Sequence, residues 1–340
     1  MSGWRDTLDL VSIDELAAKF SLNPDELHTI SGLYPYRITR HYFNLIREKG
    51  DPIWIQSIPD LRESCDDQES DPLSENCLSP VPGLIHRYPD RVVWLVSAEC
   101  AVYCRFCMRK RRVGCGEGLL VNSSEVIRYI SENSSIRDVI LSGGDPLMLD
   151  DEQLEGILSA LKNISHVEMI RIGTRIPVTF PRRVTKKLAA MLAKYHPIYI
   201  NTHFNHPTEI TPESKNACAI LADAGIVLGN QTVLIKNVND EPETMNELMC
   251  KLLSIRVRPY YLHQMDLVKG TAHFRTSVNT GLDIMASLRG HLSGLAVPYY
   301  VIDLPGGKGK VPLLPGHEVR SDGTIQLTTY LGEKVIYHDI

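Results

Sequence analysis

Short runs of apolar and β-branched residues alternate with longer amphipathic stretches through most of this chain, and that beat constrains the fold more than any other feature. The runs are "RVVWLVSA", "DVILSGG", "VEMIRIGT", "PIYINTHF", "IVLGNQTVLI" and "RPYYLHQM". Between them lie "SEVIRYISEN", "DEQLEGILSALKN", "RRVTKKLAAMLAKY", "ESKNACAILADAG" and "EPETMNELMCKLLSI". Strand-type runs separated by helices of roughly 10–15 residues predict βα units and a parallel sheet. No Gly-rich dinucleotide turn follows the first run, so the six units predict an α/β chain built as a partial (β/α)6 barrel rather than a doubly wound sheet. A further apolar run, "LAVPYYVIDL", precedes the Gly-rich "PGGKGK". Ahead of the barrel, "SIDELAAKF" and "RITRHYFNLIREKG" carry helical periodicity, with starts near Asp14 and Thr39. From Pro59 to Leu84 the chain is rich in Ser, Asp and Pro, and "LSENCLSPVPGLIHRYPDR" reads as an irregular approach segment. The predicted division is an N-terminal helical segment over 1–75, the barrel over 76–315 and a short C-terminal extension over 316–340.

Several function classes are disfavoured early. The 340 residues are 43% hydrophobic and 23% charged, enough for a large core, and the net charge of −5 offers no basic field for nucleic acid. No stretch approaches the roughly 20 apolar residues of a membrane span. The first residues, "MSGWRDTLDL", lack the apolar centre of a secretion signal. Eight cysteines are too dilute for a disulfide framework. The expected setting is the reduced cytoplasm, with Cys65, Cys77, Cys115, Cys218 and Cys250 as scattered free thiols.

The other three cysteines are crowded. Cys100, Cys104 and Cys107 form C-x3-C-x2-C in "CAVYCRFCMRKRR". A closed zinc site wants four ligands, and a redox CxxC pair leaves one cysteine without a role. Three thiolates can instead hold a four-iron cluster with one iron open to a ligand. In a β/α barrel the loops at the C-terminal ends of the strands carry the chemistry. The cysteines, "SGGDP", "RIGTR", "THFNHP", "HQMD" and "VIDLPGG" all fall there. In "PGGKGK" the glycines let the backbone approach a ligand closely, and a lysine projecting from such a loop can bond to a carbonyl cofactor. Spacing does not choose between Lys308 and Lys310.

The cysteine spacing, with Phe106 before the last cysteine, resembles the radical S-adenosylmethionine (SAM) superfamily. That likeness implies a [4Fe-4S] cluster on Cys100, Cys104 and Cys107 whose open iron binds SAM, and a barrel of the radical SAM type. Ser142, Gly143, Gly144 and Asp145 in "SGGDP" resemble the superfamily's segment for the methionine amino group. More specifically, "HRYPDRV", "LSGGDPL", "RIGTRIPV", "NTHFNHPTEIT", "LADAGIVLGNQTVL", "RVRPYYLHQMDL", "HFRT", "LRGHLSG" and "VIDLPGGKGK" are together similar to the lysine 2,3-aminomutase family, from about residue 80 to 315. The family pattern assigns pyridoxal 5′-phosphate (PLP) to Lys310, the lysine followed by x-Pro, with Lys308 at a position that is usually glycine. It sets Arg87 and Arg91 near the PLP phosphate, Gln231 and His203 in the SAM pocket, and Arg109 on the substrate carboxylate. Asp266 and Asp303 match the pair that grips the far ammonium of a lysine-type substrate.

The resemblance therefore implies an isomerase that moves the amino group of L-lysine from C2 to C3. A sister aminomutase acting on arginine, glutamate or a lysine destined for elongation factor P, or a non-mutase radical SAM iron–sulfur protein, is the alternative. The expected partners are a small amino acid substrate, an electron donor such as flavodoxin or ferredoxin, and a second copy in a homodimer. Nucleic acid and membrane are not expected. Since no cysteine follows Cys250, the zinc site that many members carry in a C-terminal extension is not expected either.

Overall fold

The structure, a computed structural model, describes residues 3–114, 123–316, 318–321 and 324–338. Cys115 and parts of the C-terminal extension lie outside the described residues. Nine strands form one sheet in sequence order: β1 (Leu84–Tyr88), β2 (Arg91–Ser97), β3 (Asp138–Gly143), β4 (Met169–Gly173), β5 (Ile198–Thr202), β6 (Val227–Val233), β7 (Arg258–His263), β8 (Tyr299–Asp303) and β9 (Lys310–Pro312). β2 through β8 run parallel, while β1 and β9 are antiparallel edges. The six predicted runs are β2 to β7, and "LAVPYYVIDL" supplies a seventh parallel strand. Part of the predicted irregular segment instead forms β1, because the turn before Arg91 folds it back onto β2.

The sheet sorts its side chains by alternation, since successive residues of a strand face opposite sides. Trp94, Leu141, Ile172, Ile200 and Leu228 align across β2 to β6 and are all buried in the core beneath the helices. Their neighbours Val93, Ile140, Arg171, Tyr199 and Val227 align on the other face and line the interior cavity. Each strand from β2 to β7 is followed by an outer helix, namely Ser123–Glu132, Asp151–Lys162, Lys186–Ala193, Pro212–Asp223, Pro242–Ser254 and Val278–Leu288.

The N-terminal helices share that core: Leu16, Ile38 and Tyr42 are fully buried in the same apolar cluster as Val139 and Ile176. The first starts at Ile13, one residue before the expected Asp14, because Ser12 accepts the Glu15 amide as its cap. "RITRHYFNLIREKG" is helical only over Arg40–Phe43. Thr39 caps that turn, but the Asp51 carboxylate takes the amide of Arg47 at 2.7 Å and opens the next helix, Pro52–Ser57, so the first cannot continue. The C-terminal extension carries a separate three-stranded antiparallel sheet, β10 (Glu318–Ser321), β11 (Thr324–Thr328) and β12 (Lys334–His338), that no alternation had marked. Among the described residues no helix is long and apolar enough to cross a membrane.

Candidate active site

A cavity of about 1310 Å³ fills the open barrel, and every predicted site residue lines it. Cys100, Cys104 and Cys107 arrive on the loop after β2. Burial pushes the Cys107 thiol up to about 11, with the neighbouring Cys104 adding to it, and burial likewise raises Cys100 well above its ordinary value. Buried thiols in this state become thiolates when a cation compensates the charge. Among the described residues no three His, Cys, Asp or Glu side chains converge tightly enough for a single metal ion. A four-iron cluster needs no such convergence, because the three thiolates go to three different irons. The donor set therefore fits the cluster.

The loop is held from both sides. Arg105 and Lys110 converge on the fully buried Glu63, at 2.6 and 2.5 Å, and Lys110 also donates to the carbonyls of Arg105 and Gly270. Arg111 reaches Asp71 at 2.8 Å. The basic run is thus a clasp that fastens the cysteine loop to the segment 63–76. On the other side, Gly144 donates its amide to the Ser97 carbonyl at 2.5 Å and Asp145 donates to that of Glu99 at 2.7 Å. Gly143 sits at φ +122°, and a methyl group on either glycine would overlap the backbone of Ser97 to Glu99. The Asp145 carboxylate faces inward to the loop, accepting from Thr174 at 2.7 Å and from the amides of Leu147 and Arg175. These hydrogen bonds make it a brace between the ends of β3 and β4.

Sequence reasoning missed Arg175, although "RIGTR" ends a strand at this face. Its guanidinium donates to Cys104 Sγ at 2.7 Å, Glu209 at 2.7 Å, Gln56 at 2.6 Å and Tyr42 at 3.0 Å. Cys104 is in this way tied to the N-terminal helices. His203 packs on Phe106 with ring centroids 5.5 Å apart, and its Nε2 is buried without a hydrogen-bond partner among the described residues. Burial and the charge of Arg175 hold its pKa well below the ordinary histidine value, so the ring is neutral. Gln231 lines the cavity from β6.

At the far side of the cavity, Lys310 of β9 ion-pairs with Asp303 at the end of β8, and Arg87 of β1 reaches the other Asp303 oxygen at 3.3 Å. Burial works against Asp303 ionising, but hydrogen bonds from His263 and Lys310 hold its carboxyl well below the usual carboxylate range. Lys308 is exposed and does not line the cavity. Arg91 has other partners than Arg87: it opens β2, stacks over Tyr88 and bonds to Asp90 at 2.8 Å, and both guanidinium groups line the cavity. Lys310, Arg87 and the cavity beside them fit an anionic carbonyl cofactor such as PLP, since they offer a primary amine and a guanidinium fork.

The two predicted substrate acids differ. Asp303 already holds two cations. Asp266 has no ion-pair partner among the described residues, and burial followed by the charge of Asp303 pushes its pKa up to about 7. Arg109 is not free either: it donates to Glu75 at 2.8 and 3.0 Å and to Ser142 Oγ at 3.1 Å. Glu75 went unnoticed in the sequence because it lies in "LSENC", where no periodicity marks a buried acid.

Comparison with known proteins agrees with this geometry. Residues 94–249 match the family model of the radical SAM superfamily, and residues 285–337 match that of lysine-2,3-aminomutase. The L-lysine 2,3-aminomutase of Methanococcus maripaludis is 53% identical over 86% of this chain and 70% of that protein. The enzyme of the same name from Fusobacterium nucleatum is 47% identical, over 93% and 76%. A glutamate 2,3-aminomutase from Clostridioides difficile is 45% identical, over 99% and 82%. With both family models matched and this likeness along nearly its whole length, the chain belongs to the lysine 2,3-aminomutase family of radical SAM enzymes.

Proposed function

We propose that this isomerase converts L-lysine to L-β-lysine, with the cluster on Cys100, Cys104 and Cys107, PLP on Lys310, and the substrate between Arg109 and Asp266. The family implies the [4Fe-4S] cluster, SAM and PLP. The cluster and SAM supply the power to remove hydrogen from C3, and PLP supplies the conjugated system that carries nitrogen from C2 to C3. The protein's share is to hold the substrate so that C3, and no other carbon, faces SAM.

One observation carries the choice of substrate. Asp266 is a half-buried carboxyl with no ion-pair partner among the described residues, the charges of Lys310 and Arg87 reaching it only from a distance, and such a group is stabilised by a ligand that brings a cation. The ammonium at the end of a lysine side chain does so. The side-chain carboxylate of glutamate would meet repulsion from Asp266 and from Asp303 behind it. Asp303 shares this task through the oxygen that Lys310 vacates when it is engaged elsewhere. At the other end of the substrate, its α-carboxylate competes with Glu75 for Arg109. Arg87 and Arg91 flank the PLP phosphate, while Ser142, Gly143, Gly144, Asp145, His203 and Gln231 surround SAM.

The reading extends to the setting. Seven described cysteines are unpaired, which supports the reduced cytoplasm. Cluster reduction calls for a low-potential donor of the flavodoxin or ferredoxin kind. Leu331, Val335 and Ile336 stand exposed on the small C-terminal sheet and support pairing with a second copy. The substrate assignment is tested with Asp266→Asn, which is expected to raise KM for lysine at least tenfold while SAM still binds. An unchanged KM would remove the assignment.

A further inference from the structure

We propose that His263 accepts the proton that Lys310 must lose before this lysine can bond to a carbonyl cofactor, and returns it as the bond completes. The inference rests on Lys310 being the lysine that holds PLP.

Lys310 is placed in conflict. In its ion pair with Asp303 it is an ammonium, which has no lone pair to attack a carbonyl carbon. Asp303 is itself a weak base, because its hydrogen bonds hold it ionised. Nζ also lies 5.2 Å from the centre of the Tyr261 ring, and its other hydrogen-bond partner among the described residues is the imidazole of His263, whose Nδ1 lies 3.3 Å away. His263 ends β7 and Lys310 opens β9, with β8 between them, and Asp303 of β8 is registered opposite Lys310.

The surroundings suit an acceptor. Asp303 from β8 lies 3.5 Å from His263 Nδ1, Tyr261 from its own strand packs edge-on at 5.4 Å, and the neutral His203 faces it from beyond β5. Arg87 stands behind Asp303, and Asp266 lies further along the same cavity. Burial and the charge of Lys310 lower the pKa of His263, so the ring is neutral before transfer. For Nδ1 to accept from Lys310, the ring takes the tautomer with its proton on Nε2 and gives up the hydrogen bond from Nδ1 to Asp303, which Lys310 and Arg87 still hold. Once protonated, the imidazolium has the Asp303 carboxylate beside it, which stabilises the charge it briefly carries.

The atoms balance. One Nζ proton passes to Nδ1, leaving a neutral amine and an imidazolium. The amine lone pair forms the C–N bond as the carbonyl π electrons move to oxygen. His263 delivers its proton to that oxygen, and a second Nζ proton follows it through the same imidazole. One water departs, Nζ keeps one proton, and no electrons are gained or lost.

The test is the rate at which PLP-free protein captures added PLP, followed by visible absorbance across pH and confirmed by borohydride trapping. His263→Gln keeps a polar side chain but cannot shuttle protons, and is expected to slow capture near neutral pH roughly a hundredfold. The deficit should close above about pH 10, where hydroxide can take a proton from an alkylammonium, and added imidazole should restore part of the rate. His263→Asn takes its place if the first variant does not fold. A wild-type rate and pH profile in the variant overturns the inference. So does a deficit equal at every pH and untouched by imidazole, which marks a purely structural role. Lys310→Ala separates the two claims: if it still captures PLP at the wild-type rate, the assignment of Lys310 fails rather than the role of His263.

Discussion

Glu75 holds Arg109 through a buried ion pair, Nη2 to Oε1 at 2.8 Å, in the position where the substrate carboxylate is expected. The carboxylate of Glu75 therefore keeps the guanidinium aimed and compensated while the site is empty. Glu75→Gln should destabilise the substrate-free protein by about 3 kcal/mol, the cost of leaving a buried charge half-compensated. Added lysine should then raise Tm more in the variant than in the wild type, because its carboxylate restores the missing charge. Equal shifts in both proteins would show that the two carboxylates do not share Arg109.

Asp266 makes the empty site sensitive to pH. Its pKa is raised to about 7 in the folded protein, above its value of about 4 when unfolded, so the native state binds more protons between those values. Its contribution to stability is present below about pH 4 and is lost as pH rises through about 7. Asp266→Asn should accordingly gain stability relative to the wild type between pH 5 and pH 8, measured by urea unfolding. Lysine binding has the opposite sense: the ammonium prefers the ionised acid, so KM should fall as pH rises through 7. A KM that is flat across this range would separate Asp266 from substrate binding.

Arg175 joins Cys104 to the buried Glu209, Gln56 and Tyr42 at the wall of the cavity. Arg175→Met leaves Glu209 buried without its cation, with an expected loss of about 3–5 kcal/mol. Double replacement of Arg175 and Glu209 by apolar residues should recover much of that loss in denaturant titrations, yet still reconstitute with less iron than wild type. Full iron content in the double variant would show that Cys104 does not need the guanidinium.

The barrel was legible from residues whose periodicity serves the core: Trp94, Leu141 and Ile172 alternate because one face of their strands is covered by helices. The edge strands were not, since β1 and β9 have five and three residues and form by pairing with neighbours rather than by pattern. Within the site, the cysteines and Asp266 stood out by type and place at strand ends, while Lys310 was told from Lys308 only through the family resemblance. Glu75, Arg175 and His263 did not, because their meaning lies in contacts across long stretches of sequence. Asp303 and Asp266 looked equivalent on paper, and only the arrival of Arg87 and Lys310 at one of them sets them apart.

The two glycines at the end of β3 pack against the backbone of Ser97 to Glu99, which leads into the cysteine loop. Gly144→Ala would force the Glu99 carbonyl aside, and the displacement passes directly to Cys100. Iron–sulfur content after reconstitution should fall at least severalfold, while PLP capture at the distant Lys310 stays unchanged. Normal cluster content would mean that the loop adapts.

The central claim is best tested by anaerobic incubation of the reconstituted protein with PLP, SAM, a strong one-electron reductant and single amino acids, with products resolved by mass spectrometry. The account predicts β-lysine from lysine, with little or no β-glutamate from glutamate. Formation of β-glutamate without β-lysine, or SAM cleavage with no β-amino acid from any substrate, would contradict it.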